Sequence, residues 1–339
     1  MVIPVDLAFV GAKLHGMRSR VYEGPRLDAL RSLHNVFDMI AAVSPTLDVT
    51  SRMRFEQHLV REHVSALGRV AVYLTGANAD FFDWQLERYR LENLKVLLRG
   101  WKTRQAPAEV KSRLVELSTD YALPVDKILA ATDIGDIARL VPVKPFAREI
   151  SRRAAQFDDT KKLFAVEAGL DAVHLAELCR RAGSLAAGDR SEVSELLGFE
   201  VLMVDVLFAM RARLNYDLAA EEVREFLVTD VPPAPPGWEF AVMLEGKTFA
   251  EMLRAAPRAK MLVGPGPDVA GLEEFQQRLW ERLYRLANRL FTRSSLHMGV
   301  VEAFYYIKRV ELNNLIRVVE LLRQEVPPAE MARRLIRLA

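Results

Sequence analysis

Apolar residues recur along this chain at the spacing of an amphipathic helix. In Phe82, Leu86, Tyr89, Asn93 and Val96 the steps are four, three, four and three, which brings all five onto one helical face. The segments Leu163–Arg181, Leu272–Phe291 and Val301–Arg323 carry the same spacing. No stretch shows a convincing hairpin, and Val141-Pro-Val-Lys-Pro145 reads as a connector. Breakers fall between the periodic runs. Gly100 is expected to close one helix, and Pro107 suits the first turn of the next, where its missing N–H costs nothing. The runs 230–237 (Asp-Val-Pro-Pro-Ala-Pro-Pro-Gly) and 264–267 (Gly-Pro-Gly-Pro) read as loops or linkers. The pattern predicts an all-α protein of roughly fifteen or more helices.

The periodic segments also resemble one another. Residues 89–114 align without a gap on residues 310–335, at a spacing of 314 − 93 = 221. Asn93-Leu94 then falls on Asn314-Leu315, Pro107-Ala108-Glu109 on Pro328-Ala329-Glu330, and Arg113-Leu114 on Arg334-Leu335. Upstream, Phe55-Glu-Gln57-His-Leu59 falls on Phe275-Gln-Gln277-Arg-Leu279. A weaker middle copy places Asp205 at 205 − 93 = 112 and needs a one-residue shift after Arg211. Agreement in loops, Pro and Asn argues against chance periodicity, and a unit of about 110 residues is far longer than a tetratricopeptide or HEAT repeat. The expected organisation is three homologous helical bundles: residues 1–140, 141–250 and 251–339.

Within the first copy, Pro124-Val-Asp-Lys-Ile-Leu129 is followed by Asp136-Ile-Ala138. The third copy reaches Ala339 without a counterpart, whereas Pro25-Arg-Leu-Asp-Ala-Leu30 followed by Asp38-Met-Ile40 supplies the same pattern near the start. Residues 1–54 are therefore expected to complete the third bundle, which requires residues 20–45 to touch residues 300–339.

Composition narrows the function classes. Half the residues are hydrophobic and 27% charged, ordinary for a folded chain, and the net charge is only +2. A balance so close to neutral argues against non-specific attraction to nucleic acid, and Arg18–Arg20 and Arg333–Arg334 read as solvated helix faces. Cys179 is the only cysteine, which rules out an intramolecular disulfide and a CxxC metal knuckle; its place in Leu175–Leu178–Cys179 suits a small buried thiol. Residues 1–6 lack the basic and apolar regions of a signal peptide. The most apolar stretch, Phe199–Met210, carries Glu200 and Asp205 and is far short of the ~20 residues of a membrane span. Neither a phosphate loop, a GxGxxG turn nor a GxSxG elbow is present. In 264–267 the prolines remove backbone donors that a phosphate loop would use. His58 and His63 are five apart, the wrong step for two zinc ligands on one helical face. No catalytic residue, cofactor or metal is expected.

One polar feature repeats. Asn93 and Asn314 sit in the apolar stripes of their helices, and Asp205 holds the same register in the middle copy. A polar group there costs free energy unless it is hydrogen-bonded. Three equivalent positions in separate bundles would not meet in one active site. Each is expected to satisfy backbone within its own bundle.

The segments Arg90-LENLKVLLRG-100 and Tyr306-IKRVELNNLIRVVELLR-323 resemble the repeated signature of the C-type subunit of V/A-type ATPases, the counterpart of the d-type subunit of eukaryotic vacuolar enzymes. Phe9-VGAKLHGMRSRVYEG-24 is similar to that family's opening helix. The resemblance implies a funnel of three helical bundles around a pseudo-threefold axis. It further implies a non-catalytic rotor part between the D and F proteins of the central stalk and the membrane proteolipid ring. Such a chain transmits torque for ion transport or ATP synthesis, and sits peripherally on the cytoplasmic face without entering the membrane or binding nucleic acid. Arg18, Arg20, Arg99 and Arg211 are then candidates for polar rotor contacts, against which stands pairing inside a bundle. Two departures are visible: Asp205 where the other copies have Asn, and Glu320 in the register of Arg99 and Arg211. A generic helical adaptor that takes a helical partner in a central hollow is the alternative.

Overall fold

Helices account for every regular element among the described residues, which in this computed structural model are 7–47, 51–228, 231–232, 239–264, 268–294 and 296–337. Residues 230 and 233–237 of the first expected loop, 265–267 of the second, and the reading of residues 1–6 lie outside that set.

In chain order the helices are α1 (Leu7–Arg18), α2 (Pro25–Leu30), α3 (Val36–Val43), α4 (Arg52–Ala71), α5 (Gly76–Lys102) and α6 (Pro107–Arg113). Next come α7 (Val125–Leu129), α8 (Ile134–Leu140), α9 (Lys144–Thr160), α10 (Phe164–Gly183), α11 (Ala187–Tyr216) and α12 (Ala220–Arg224). The last six are α13 (Phe240–Met243), α14 (Phe249–Ala255), α15 (Pro257–Met261), α16 (Leu272–Arg293), α17 (Met298–Arg323) and α18 (Pro328–Arg334). By contact they fall into two compact units, residues 60–181 and residues 1–59 with 182–339.

In the unit 60–181, the apolar stripe of α5 supplies the core through Phe81, Phe82, Leu86, Leu94, Leu97 and Leu98, all buried. Trp84 and His174 tie α5 to α10 by a reciprocal pair: the indole N–H donates to the His174 carbonyl at 2.9 Å, and the His174 Nε2–H donates to the Trp84 carbonyl at 3.1 Å. Cys179 is buried near the end of α10, as a small apolar side chain would be. Helix α5 does not stop at Gly100 as its sequence suggested; it runs to Lys102. The glycine has a different task. A Cβ there would come within 2.5 Å of a Val110 methyl carbon, so the missing side chain lets α6 pack against the end of α5. The chain leaves α5 through Arg104 at φ 52°, with the Gln105 N–H donating to the Gly100 carbonyl at 3.0 Å. That is a helix stop of the Schellman kind.

In the unit 1–59 with 182–339, α16 and α17 pair closely and both pack on α11. Phe275, Leu279 and Leu283 of α16, four residues apart, and Phe304 and Val318 of α17, fourteen apart, are all buried. The Phe199–Met210 stretch lies inside α11. Helices α1 and α3 rest on α17. The Tyr22 N–H donates to the Glu311 carboxylate at 2.8 Å, Arg31 reaches the Pro328 carbonyl at 3.4 Å, and Arg337 pairs with Asp28 at 2.8 Å. Residues 22–31 thus lie against residues 311–337.

Candidate functional site

The repeated polar positions are built on long helices and reach for the extended residue that follows the next short helix. Asn93, on α5, donates from its amide nitrogen to the Val115 carbonyl at 2.7 Å and accepts from the Val115 N–H at 2.9 Å. On α17, Asn314 does the same to Ile336, donating at 2.8 Å and accepting at 2.9 Å. Both ends of each carboxamide are engaged by one residue's backbone, as in a rung of a sheet. Asp205, on α11, has no amide to donate; its carboxylate accepts from the Val228 N–H at 2.7 Å. The setting differs in depth. Asn314 and Asp205 are each 2% exposed, whereas Asn93 is half-buried.

The helix stops before these clasps match as well. Arg104, Asp217 and Glu325 all take left-handed backbone, at φ 52°, 47° and 56°. After α5 and α17 the closing bond spans five residues, from Gln105 to Gly100 and from Val326 to Leu321, each 3.0 Å. After α11 it spans six, from Leu218 to Ala212 at 3.1 Å. One extra residue in that stop accounts for the register shift seen after Arg211.

A second local device recurs three times. Short helices α3, α8 and α14 are each capped by a side chain that accepts from the N–H three residues on: Asn35 from Asp38 at 3.0 Å, Asp133 from Asp136 at 2.7 Å, and Thr248 from Glu251 at 3.3 Å. The acidic residue in each case reaches back to an N–H at the start of the turn, from His34, Thr132 or Lys247, at 3.2, 3.1 and 2.9 Å. These reciprocal bonds satisfy helix N–H groups that have no partner inside the helix. They hold Asp136 and Glu251 below the usual carboxylate range, backbone donation being the largest cause in both.

The four candidate contact arginines are placed differently. Arg18 is committed within its own unit: it pairs with Glu23 at 3.0 Å, donates to Asn288, and lies 4.8 Å over the Phe291 ring. Arg20 is exposed. Arg99, on α5, makes a two-pronged pair with Glu167 of α10 at 2.7 and 2.6 Å. Arg211, on α11, donates to Gln276 of α16 at 2.6 Å. Glu320 holds the same register on α17 and takes the opposite partner, Arg52 of α4, at 2.6 Å. A carboxylate therefore stands where the other long helices carry a guanidinium, and it is met both by Arg52 of the facing helix and by Arg323 one turn on along α17.

A buried ion pair was signalled in the sequence only as polar breaks in apolar runs. Glu200 of α11 is 2% exposed; it pairs with Arg309 of α17 and accepts from the Tyr306 hydroxyl at 2.5 Å. The Arg309 guanidinium sits between the Trp280, Tyr305 and Tyr306 rings, 5.3 to 5.5 Å from their centres. Burial works against its charge, but Glu200 beside it holds the group firmly protonated. Burial, and then Glu200, push the Tyr306 hydroxyl well up. A cation paired and enclosed in this way is a fixed internal strut that joins two helices.

Comparison with known proteins bears on the whole chain. The family model described as ATP synthase (C/AC39) subunit matches residues 10–334. The C-type subunit of the A-type ATP synthase of Methanosphaera stadtmanae is 19% identical over 265 residues, spanning 75% of this chain and 67% of the relative. That of Methanothermobacter thermautotrophicus is 21% identical over 267 residues, spanning 76% and 68%. For the same component in Methanobrevibacter smithii the figures are 19% over 317 residues, 90% and 81%.

Proposed function

This chain belongs to the ATP synthase (C/AC39) subunit family, and from that premise we propose that it is a non-catalytic part of the rotor, which couples the central stalk of a V/A-type ATPase to its membrane proteolipid ring. The observation that carries the reading is the family match across nearly all of an all-helical chain. On this reading the D and F proteins bind from the stalk side and the ring from the other, and the chain hands torque between them. Among the described residues no helix is long and apolar enough to cross a membrane; the reading has the chain meet the ring through protein contacts at the cytoplasmic face.

The proposed organisation is three repeated bundles, residues 1–140, 141–250 and 251–339, with residues 1–54 completing the third. Three observations support it. The side chains at 93, 205 and 314 each accept from the N–H of a residue that follows the next short helix. The capped helices α3, α8 and α14 share a second one. The polar contacts at 99, 211 and 320 each join a long helix to another helix: α5 to α10, α11 to α16, and α17 to α4. In this organisation Asn93, Asp205 and Asn314 fasten each bundle internally, and Arg99 and Arg211 serve bundle-to-bundle contacts; Arg20 remains the candidate for the rotor.

Reconstitution of the complex with and without the chain tests the role. Omission is expected to leave ATP hydrolysis in the soluble head while abolishing ATP-driven ion transport across the vesicle. Transport that persists without this chain would overturn the proposal.

A further inference from the structure

Four arginines of α16, at 282, 285, 289 and 293, follow steps of three, four and four and so share one helical face over about 16 Å. They line an open groove of about 970 Å³, with Leu286 in its floor and Met261, 70% exposed, on its rim. No carboxylate is among the lining residues. Arg293 is neutralised at the edge by Glu195, at 2.8 Å. Arg285 and Arg289 are exposed and have no ion pair among the described residues. Arg282 is fixed at the groove wall, its guanidinium 5.4 Å from the Phe199 ring and donating to the Met261 carbonyl.

Many other arginines among the described residues are matched by carboxylates, as at Arg18, Arg52, Arg99, Arg113, Arg139, Arg180 and Arg323. Here three adjacent cations face the same space unmatched. Burial, followed by repulsion from Arg285 and Arg289, draws the Arg282 guanidinium below its ordinary pKa. An incoming anion would relieve that repulsion.

We propose that this groove docks an acidic amphipathic helix of a partner protein, with its carboxylates on Arg282, Arg285 and Arg289 and its apolar side on Leu286 and Met261. The length of the stripe decides the class of ligand. A single phosphate would meet one or two of the cations, whereas carboxylates repeated on one face of a helix meet all three. Concavity disfavours a bilayer, which would contact only the rim. The inference is independent of the rotor role, because it rests on charge and shape at α16 alone.

The test uses the full chain and a fluorescein-labelled synthetic peptide of about 18 residues, helical, with Leu on one face and Glu flanking it. The peptide is expected to bind, more weakly as salt is raised, and its Gln-for-Glu version at least about tenfold more weakly. The double variant R285E/R289E should lose about tenfold or more in affinity with an unchanged melting temperature. Arg148→Glu, an exposed change elsewhere, should bind as the parent does. Equal binding by R285E/R289E and the parent would overturn the proposal. So would binding to phosphatidylserine vesicles or single-stranded DNA that requires Arg285 and Arg289 while the acidic peptide fails to bind.

Discussion

Helices α5 and α17 carry the same scaffold with opposite charges. On α5, Glu87 pairs with Arg90 at 2.9 Å, and Arg90 reaches onward to the Asp120 carbonyl and the Tyr121 ring. The positions 221 residues later (308 − 87, 311 − 90) are Lys308 and Glu311, which pair in the reverse sense. Glu311 then accepts from the Tyr22 N–H at 2.8 Å. A guanidinium that seeks a carbonyl has become a carboxylate that seeks an N–H. The segment it meets is local in one case, 30 residues away, and 289 residues away in the other. The same backbone layout is thus closed by either polarity. What both helices keep is the carboxamide one turn further on, at Asn93 and Asn314, because a single Asn both donates and accepts, and so holds a residue's N–H and C=O together.

The sharpest way to break this comparison is Asn314→Leu. It strands the buried N–H and C=O of Ile336, and unfolding stability is expected to fall by about 2–4 kcal/mol in urea titration. Asn93→Leu should cost less, about 1 kcal/mol, because that clasp is half-buried and water can replace the lost bonds. Equal losses would show that depth does not set the value of the clasp. Between these two lies Glu311→Leu, expected to cost about 1–2 kcal/mol and to speed proteolysis around residues 20–45, since Tyr22 loses its anchor. Unchanged cleavage there would mean that α1 and α3 hold the segment without Glu311. The smallest effect concerns Glu87, whose carboxyl burial lifts from 4.5 to about 7 against the pull of Arg90 and Arg181. The folded chain then holds this proton more tightly than the unfolded one. Its contribution to stability is therefore lost as pH rises from about 4.5 to about 7. In Glu87→Gln the decline of melting temperature across that window should flatten; an unaltered slope would assign it to other groups.

Much of the fold was legible because helical burial has a period. Steps of three and four marked α5, α10, α16 and α17, and the matched Pro107 and Pro328 marked the starts of α6 and α18. The Asn positions stood out as polar residues in apolar stripes. Less could be read from Gly100, where the sequence suggests a helix end and the structure shows a close approach by Val110. A glycine permits both, and only the neighbour decides. Arg18, Arg99 and Arg211 read as candidates either for a rotor contact or for pairing inside a bundle, and each has a partner in this same chain. In the α16 stripe, whose arginines follow the ordinary spacing of a solvated face, Arg285 and Arg289 have no ion pair among the described residues.

That division has one physical origin. The sequence by itself determined the helices, their buried faces, the stops between them and the recurrence of clasp positions, since these depend on residues a few places apart. Which carboxylate meets which arginine, whether a carboxamide lies at 2% exposure or half in water, and that Tyr22 comes to rest on Glu311 were decided only by the tertiary structure. Such pairings join residues dozens to hundreds of places apart, and a long charged side chain can reach several partners from one helix position. The packing of the helices selects among them.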